Sequence, residues 1–294
     1  MRVLVLGATG LLGNAMYRIL SQDRTLHVFG TIRDVEARQL FLPELREHLV
    51  MVDDLGEQEQ LTVLFDSLQP QVVVNCIALS KIASQDPMNV IAMFSLLPRR
   101  LAYLCRSRGV RLIQISTDCV FEGTRGGYTE EDIPNTKDLY GIAKLLGEID
   151  EPGAITIRTS IIGHEIIPRK GLLEWFLAQN EECKGFPHAI FSGFPSIVLA
   201  RVIRDQILPR PQLHGIYHLA SSPISKFDLL KLVAQKYGRT TRIIPDNGVV
   251  INRSLSADRF AGITGYVPSE WPVLIDEMYS EKFGIKENEC LRTK

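Results

Sequence analysis

Six short apolar runs in the first half of the chain restrict the fold most: MRVLVLG, HVFGTI, HLVMVD, QVVVNCIA, VRLIQIS and AITIR. They are rich in β-branched residues and nearly free of polar interruptions. A strand with one wet face alternates apolar and polar positions, so unbroken runs predict strands buried on both faces, as in a parallel sheet. Helix-length segments separate most of them: LLGNAMYRILSQ, EQEQLTVLFDSL, PMNVIAMFSLLPRRLAYLCRSRG and DLYGIAKLLGEID. Such alternation predicts right-handed βαβ units, and hence an α/β fold with a doubly wound parallel sheet of the Rossmann type.

Past residue 163 the rhythm breaks. GLLEWFLAQ, PSIVLARVIRDQIL, SKFDLLKLVAQKYG and WPVLIDEMYSEKF read as helices, with short strands AIFSG, GIYHLA and TTRIIPD between them. Ser225 with Asp228 three residues on marks one helix start, an approximate capping box. The expected organisation is a dinucleotide-binding domain over 1–163, also taking in 187–208 through the IVLARVI helix. A smaller mixed α/β substrate lobe would then cover 164–186 and 209–294.

A formal net charge of -1 provides no basic field for nucleic acid or an anionic membrane. No stretch approaches the ~20 apolar residues that span a bilayer. The apolar N-terminus is interrupted by glycines and lacks the pattern of a cleaved signal. Five scattered cysteines without a CxxC pair suit a reduced, cytoplasmic protein. His214 and His218 share a strand-like segment, where four residues span ~13 Å, so they read as structural, and no metal site is expected.

The first run leads into G-A-T-G-L-L-G, with glycines at 7, 10 and 13. A strand entering glycines and then a helix lets backbone N–H groups approach a pyrophosphate at the helix N-terminus. The spacing is GxxGxxG rather than the commoner GxGxxG. A tight turn that binds nothing is the plain alternative. Further on, the fifth run leads into STDCVF, and then comes LYGIAK, in which Tyr140 alone among eight tyrosines has a lysine four residues on. On a helix that spacing places Tyr140 and Lys144 on one face. The pair by itself is equally a surface tyrosine covering a lysine stem.

Together, in this order, the three motifs resemble the extended short-chain dehydrogenase/reductases, and within them the dTDP-4-dehydrorhamnose reductase-like branch. The likeness runs essentially end to end, through VNCIA, STDCVFEG, EEDIPNTKDLYGIAKLLGE and IRTSIIG. It implies Tyr140 as the general acid, Lys144 as the charge that stabilises its phenolate and holds the nicotinamide ribose, and Thr117 as the hydroxyl that orients a substrate carbonyl. It also implies cofactor contacts at Gly7, Thr9, Gly10, Leu11, Leu12, Arg33, Asp54, Leu55 and Ala78, besides Tyr140 and Lys144. Cys119 would line the substrate cleft where family dehydratases carry a glutamate, which favours reduction over dehydration. Arg253 is the candidate substrate anchor, with Arg169 and Lys170 as further candidates. The family's asparagine between the fourth and fifth strands is missing; Phe94 or Ser95 stands near its position.

The cofactor expected is NADP(H), with NAD(H) as the alternative. Thr31 falls near the position where an acidic residue would accept both ribose hydroxyls of NAD, and Arg33 two residues later suits a 2′-phosphate. Asp34 argues the other way if the register shifts by one. The resemblance implies reduction of a 4-keto-6-deoxy sugar carried on a nucleoside diphosphate, in deoxysugar or polysaccharide biosynthesis, and leaves a homodimer open. Two other readings stay open: a non-catalytic NADP-binding regulatory subunit of the same fold, and a sugar-nucleotide epimerase holding NAD tightly.

Overall fold

The structure, a computed structural model, describes residues 1–79, 85–167 and 171–280. Its main sheet has seven strands, all paired in parallel. Six are the apolar runs: β1 (Arg2–Leu6), β2 (His27–Ile32), β3 (Leu49–Met51), β4 (Val72–Asn75), β5 (Arg111–Thr117) and β6 (Ala154–Thr159). The seventh strand is Gly215–His218, at the edge beyond β6. The sequence reading assigned that GIYHLA segment to the smaller lobe, and the pairing corrects it. In the four-residue run, Gly215 through His218 align with Ile155 through Arg158.

The pleat sorts side chains between two layers. Val3 and Val5 of β1 face α1 (Leu11–Ser21) and the helix Ser196–Val202, packing with Met16, Tyr17, Ile197 and Leu199. Leu4 and Leu6 face α2 (Gln58–Leu68) and α4 (Leu97–Arg108), packing with Leu61, Phe65, Leu101 and Leu104. Successive residues of a strand point to opposite faces, so an unbroken apolar run supplies both cores. Every residue of β4, β5 and β6 is buried accordingly.

The strand order runs 3-2-1-4-5-6 before the edge strand. Connections leave β1 toward one side and β4 toward the other, and the crevice beyond the carboxyl ends of such strands is where ligands bind in open α/β sheets. Into this crevice run the segments that follow β1, β4, β5 and β6.

The remaining described segments form small sheets and helices beside that end. Glu182–Gly185 pairs with Arg242–Pro245, and Ala189–Phe191 lies between Ile224–Ser225 and Ile251–Asn252. The helix Lys226–Lys236 opens at Ser225, whose hydroxyl accepts from the Asp228 N–H at 3.0 Å. Its partner interaction is a 2.7 Å bond from the same hydroxyl to the Asp228 carboxylate.

Candidate active site

The glycine loop is held by the neighbouring strand. Gly7 lies in the left-handed region at φ +80, its N–H donates to the Thr31 hydroxyl at 2.9 Å, and the Ala8 N–H donates to the Thr31 carbonyl at 2.9 Å. Thr31 therefore braces the loop instead of merely leaving room for a ribose. At Gly13 a methyl group would overlap the carbonyl oxygen of Gly7, so only glycine lets α1 lie this close to the loop. No side chain caps α1 at Gly10, which leaves first-turn N–H groups for a ligand. Gly7, Thr9 and Gly10 line a cavity of about 350 Å³ whose wall also carries Arg33, Asp54, Leu55 and Ala78. Asp53 and Asn89 line it as well, which sequence reasoning missed.

Asp34 is otherwise engaged. It caps the turn Val35–Leu40, accepting from the Glu36 N–H at 2.9 Å. Arg33 lines the cavity, together with Asp53 and Asp54, and Asp34 does not.

A second cavity, about 510 Å³, adjoins the first across Ile77, Ala78 and Leu79. Leu11 and Leu12 enter it from α1, while Thr117, Cys119, Tyr140 and Lys144 line its far side. Tyr140 and Lys144 belong to α5 (Leu139–Leu146), which Asp138 caps by accepting from the Gly141 N–H at 2.8 Å. The glycine between them has a steric purpose: a methyl at 141 would overlap the Cys119 carbonyl oxygen. Its absence lets α5 seat against the turn after β5.

Lys144 is buried and donates to the Ile115 carbonyl at 3.0 Å. Burial lowers its pKa from the ordinary lysine value to about 8, against the opposing pull of Cys76, Glu148 and Cys119. Tyr140 faces the open cleft, with 39% of the residue exposed, while surrounding protein shields its hydroxyl. That burial pushes the phenol up, neighbouring Cys119 and Asp118 push the same way, and the Thr117 hydroxyl pulls the other way. Thr117 itself accepts from the Cys119 N–H at 3.2 Å and donates to the buried Asp118 carboxyl at 3.2 Å. Burial also raises the Asp118 pKa and pushes the Cys119 thiol up to about 11, so Cys119 is no thiolate nucleophile.

The segment PMNVIAMFSLLPRRLAYLCRSRG, expected as one helix, is interrupted. A π turn, Ala92–Leu96, joins α3 (Pro87–Ile91) to α4. Phe94 turns its ring to the Tyr140–Lys144 pair, and Ser95 donates to the Ala143 carbonyl at 2.9 Å. A wide turn inside a helix leaves no mark in apolar periodicity, which is why it was not foreseen.

Arg253 is partly buried, and its guanidinium already serves the loop. Nε donates to the Phe121 carbonyl at 2.8 Å, one terminal nitrogen lies 3.3 Å from Cys119 Sγ, and the other lies 3.6 Å from the Asp138 carboxylate. Arg169 and Lys170 lie outside the described residues. His218 is fully buried between Arg158, at 3.3 Å, and the Tyr128 carbonyl, at 3.1 Å. Among the described residues no group of three or more His, Cys, Asp or Glu is placed to hold a metal, and no helix is long and apolar enough to cross a membrane.

Residues 1–249 match the family described as the RmlD substrate binding domain. The chain is similar to the methionine adenosyltransferase 2 subunit beta of Pongo abelii, 34% identical over 325 residues, covering 95% of this chain and 90% of that protein. It is also similar to the probable low-salt glycan biosynthesis reductase Agl14 of Haloferax volcanii, 32% identical over 169 residues, 55% of this chain and 54% of that one. Among solved structures, the dTDP-4-dehydrorhamnose reductase of Bacillus anthracis in complex with NADP superposes with a TM-score of 0.76 at 20% identity, covering 95% of this chain and 99% of that chain. The seven-stranded parallel sheet thus has its counterpart in a known group: this chain belongs to the RmlD substrate binding domain family of extended short-chain dehydrogenase/reductases.

Proposed function

We propose that this protein is an NADP(H)-dependent reductase of a nucleotide-linked 4-keto-6-deoxy sugar. The observation that carries the reading is that Thr117, Tyr140 and Lys144 meet on one cavity directly adjoining the glycine-loop cavity. When bound, NADPH supplies the hydride. The protein's own residues manage the proton and the geometry. Tyr140 protonates the carbonyl oxygen of the substrate, and Lys144 provides the positive charge that stabilises the phenolate left behind. Thr117 orients the carbonyl, exchanging its bond to Asp118 for one to the substrate. Cys119 lines the sugar side, and Arg253 fixes Cys119 and the Asp138 cap. Each terminal nitrogen of Arg253 carries a second N–H beyond those contacts, and through these it would donate to a substrate phosphate. The adjoining cradle of Gly7, Thr9, Gly10, Leu11 and Leu12 suits the pyrophosphate, and Arg33, Asp54, Leu55 and Ala78 suit the adenosine half.

The direct test is single-turnover oxidation of NADPH in the presence of a 4-keto-6-deoxy sugar nucleotide. Absorbance loss that depends on the sugar supports the reading; none, with NADPH binding intact, removes it. The second reading is a regulatory subunit without turnover. What favours it is the 34% identity to a methionine adenosyltransferase subunit over 90% of that protein. It predicts nucleotide binding without sugar-dependent oxidation, and altered activity of a methionine adenosyltransferase catalytic subunit on mixing. Cofactor tightly held through purification, with no net NADPH use, would point instead to an epimerase.

Two further outcomes follow from the cradle. Gly13→Ala forces α1 away from Gly7, so NADPH affinity, read by fluorescence titration, should fall about tenfold or more, the scale of losing one charge-assisted contact. Affinity equal to the parent would show that the loop does not carry the pyrophosphate. Arg33→Ala should lower the NADPH preference over NADH by about tenfold, on the same scale. An unchanged ratio of the two kcat/KM values would mean that Arg33 does not read the 2′-phosphate.

A further inference from the structure

One side chain outside the predicted set touches both Tyr140 and Lys144. The Phe94 ring meets the Tyr140 ring edge to face, with centroids 5.3 Å apart and planes at 87°. The Lys144 ammonium lies over the same Phe94 ring, 4.7 Å from its centroid. Phe94 is only 4% exposed, so these contacts are made away from bulk water, where the attraction between an ammonium and a ring face is strongest.

The backbone is shaped to deliver this ring. Phe94 sits in the π turn Ala92–Leu96, and turns of this kind commonly mark functional sites because they re-aim one side chain out of helical register. The turn is pinned to α5 from two sides. Ser95 donates to the Ala143 carbonyl at 2.9 Å, one residue before Lys144. At the other end, a methyl group at Gly147 would overlap the Phe94 carbonyl oxygen, so glycine there permits the approach. Val90 and Ala143 complete the small apolar cluster behind the ring.

We propose that Phe94 is a positioning residue of the active site: its ring face holds the Lys144 ammonium while its contact with Tyr140 fixes the phenol one helical turn away. The inference rests on the reading of Tyr140 and Lys144 as a working pair. Lys144 has few other ways to remain charged where it is. Among the described residues its ammonium makes one hydrogen bond, to the Ile115 carbonyl, and the titratable groups that act on it are Cys76 after β4, Cys119 after β5 and Glu148 after α5. Burial draws its pKa down to about 8, and the ring face is an attraction that resists this without adding a titratable group.

The test keeps the shape of the ring and removes its negative face. Phenylalanine with one, two or three ring fluorines is installed at position 94 by stop-codon suppression, in a chain labelled with 13C at the lysine ε-carbons. The Lys144 resonance is assigned by its loss in Lys144→Arg, and its titration midpoint is followed by NMR. The expected result is a stepwise fall with each fluorine, reaching about one pH unit for the trifluorinated ring. A total fall under half a unit overturns the proposal, because a ring that merely fills space would leave the midpoint unchanged. If the trifluorinated chain fails to fold, the mono- and difluorinated rings carry the same slope. The titration needs no turnover, so this inference and the reductase reading fail independently.

Discussion

Tyr140→Phe is expected to reduce sugar-dependent NADPH oxidation by at least about a hundredfold, within the range contributed by a positioned general acid. The substitution removes one oxygen and keeps the ring, so the edge-to-face contact with Phe94 and the seat of α5 are retained. NADPH affinity should therefore change by no more than about twofold, since the phenol acts on the substrate oxygen and Lys144 is untouched. Single-turnover kinetics and a fluorescence titration on the same preparation check both halves. A rate above one tenth of the parent's would assign the proton to another group. The parent's own rate should also fall as pH rises through about 8, where Lys144 loses its charge. The sign follows from the role: the charge that stabilises the phenolate is present below that pH and absent above it.

Glu148→Leu is expected to produce the largest loss of stability. Glu148 and Arg158 form a buried pair, each side chain 4% exposed, with bonds of 2.8 and 2.7 Å from the guanidinium to the two carboxylate oxygens. The Ser116 hydroxyl adds a third bond at 2.7 Å. Leucine at 148 leaves Arg158 charged and without its carboxylate, and removing one partner of a buried pair costs about 3–5 kcal/mol. His218 offers no replacement, because an imidazole supplies no negative charge; burial and the Arg158 charge hold its pKa down at about 4, so it stays neutral. Urea unfolding of Glu148→Leu and of Glu148→Leu/Arg158→Met distinguishes the cause. The double variant should recover most of the loss, because a well-packed apolar pair is close to neutral against a buried ion pair. If both variants lose the same amount, the cost lies in packing at 148 and not in the orphaned charge. Ser116 precedes Thr117, so the single variant should also slow turnover beyond what unfolding explains.

The elements most legible in the sequence were those whose signal is local. Burial on both faces is written into QVVVNCIA and VRLIQIS residue by residue, because a central parallel strand has no wet side to accommodate polar positions. The glycine loop was legible for the same reason. Gly7 needs a left-handed backbone and Gly13 needs the absence of a methyl, and both demands fall within a seven-residue window. The pairing of Tyr140 with Lys144 needed only the pitch of a helix.

Other features depended on contacts between distant segments. GIYHLA reads as a short strand, but nothing in its composition says that it joins the main sheet beside β6; that is settled by hydrogen bonds across some sixty residues of chain. Phe94 looks like any apolar residue of a helix until the π turn rotates it toward Lys144. Arg253 reads as a free cation for a phosphate, yet its three nitrogens meet Phe121, Cys119 and Asp138, none of them within a hundred residues. Sequence periodicity reports how much of each side chain leaves water, so six of the seven strands, the loop and the Tyr140–Lys144 helix were determined by sequence alone. Which groups meet once they are there is decided by tertiary packing, because direction and partner are properties of the assembled backbone.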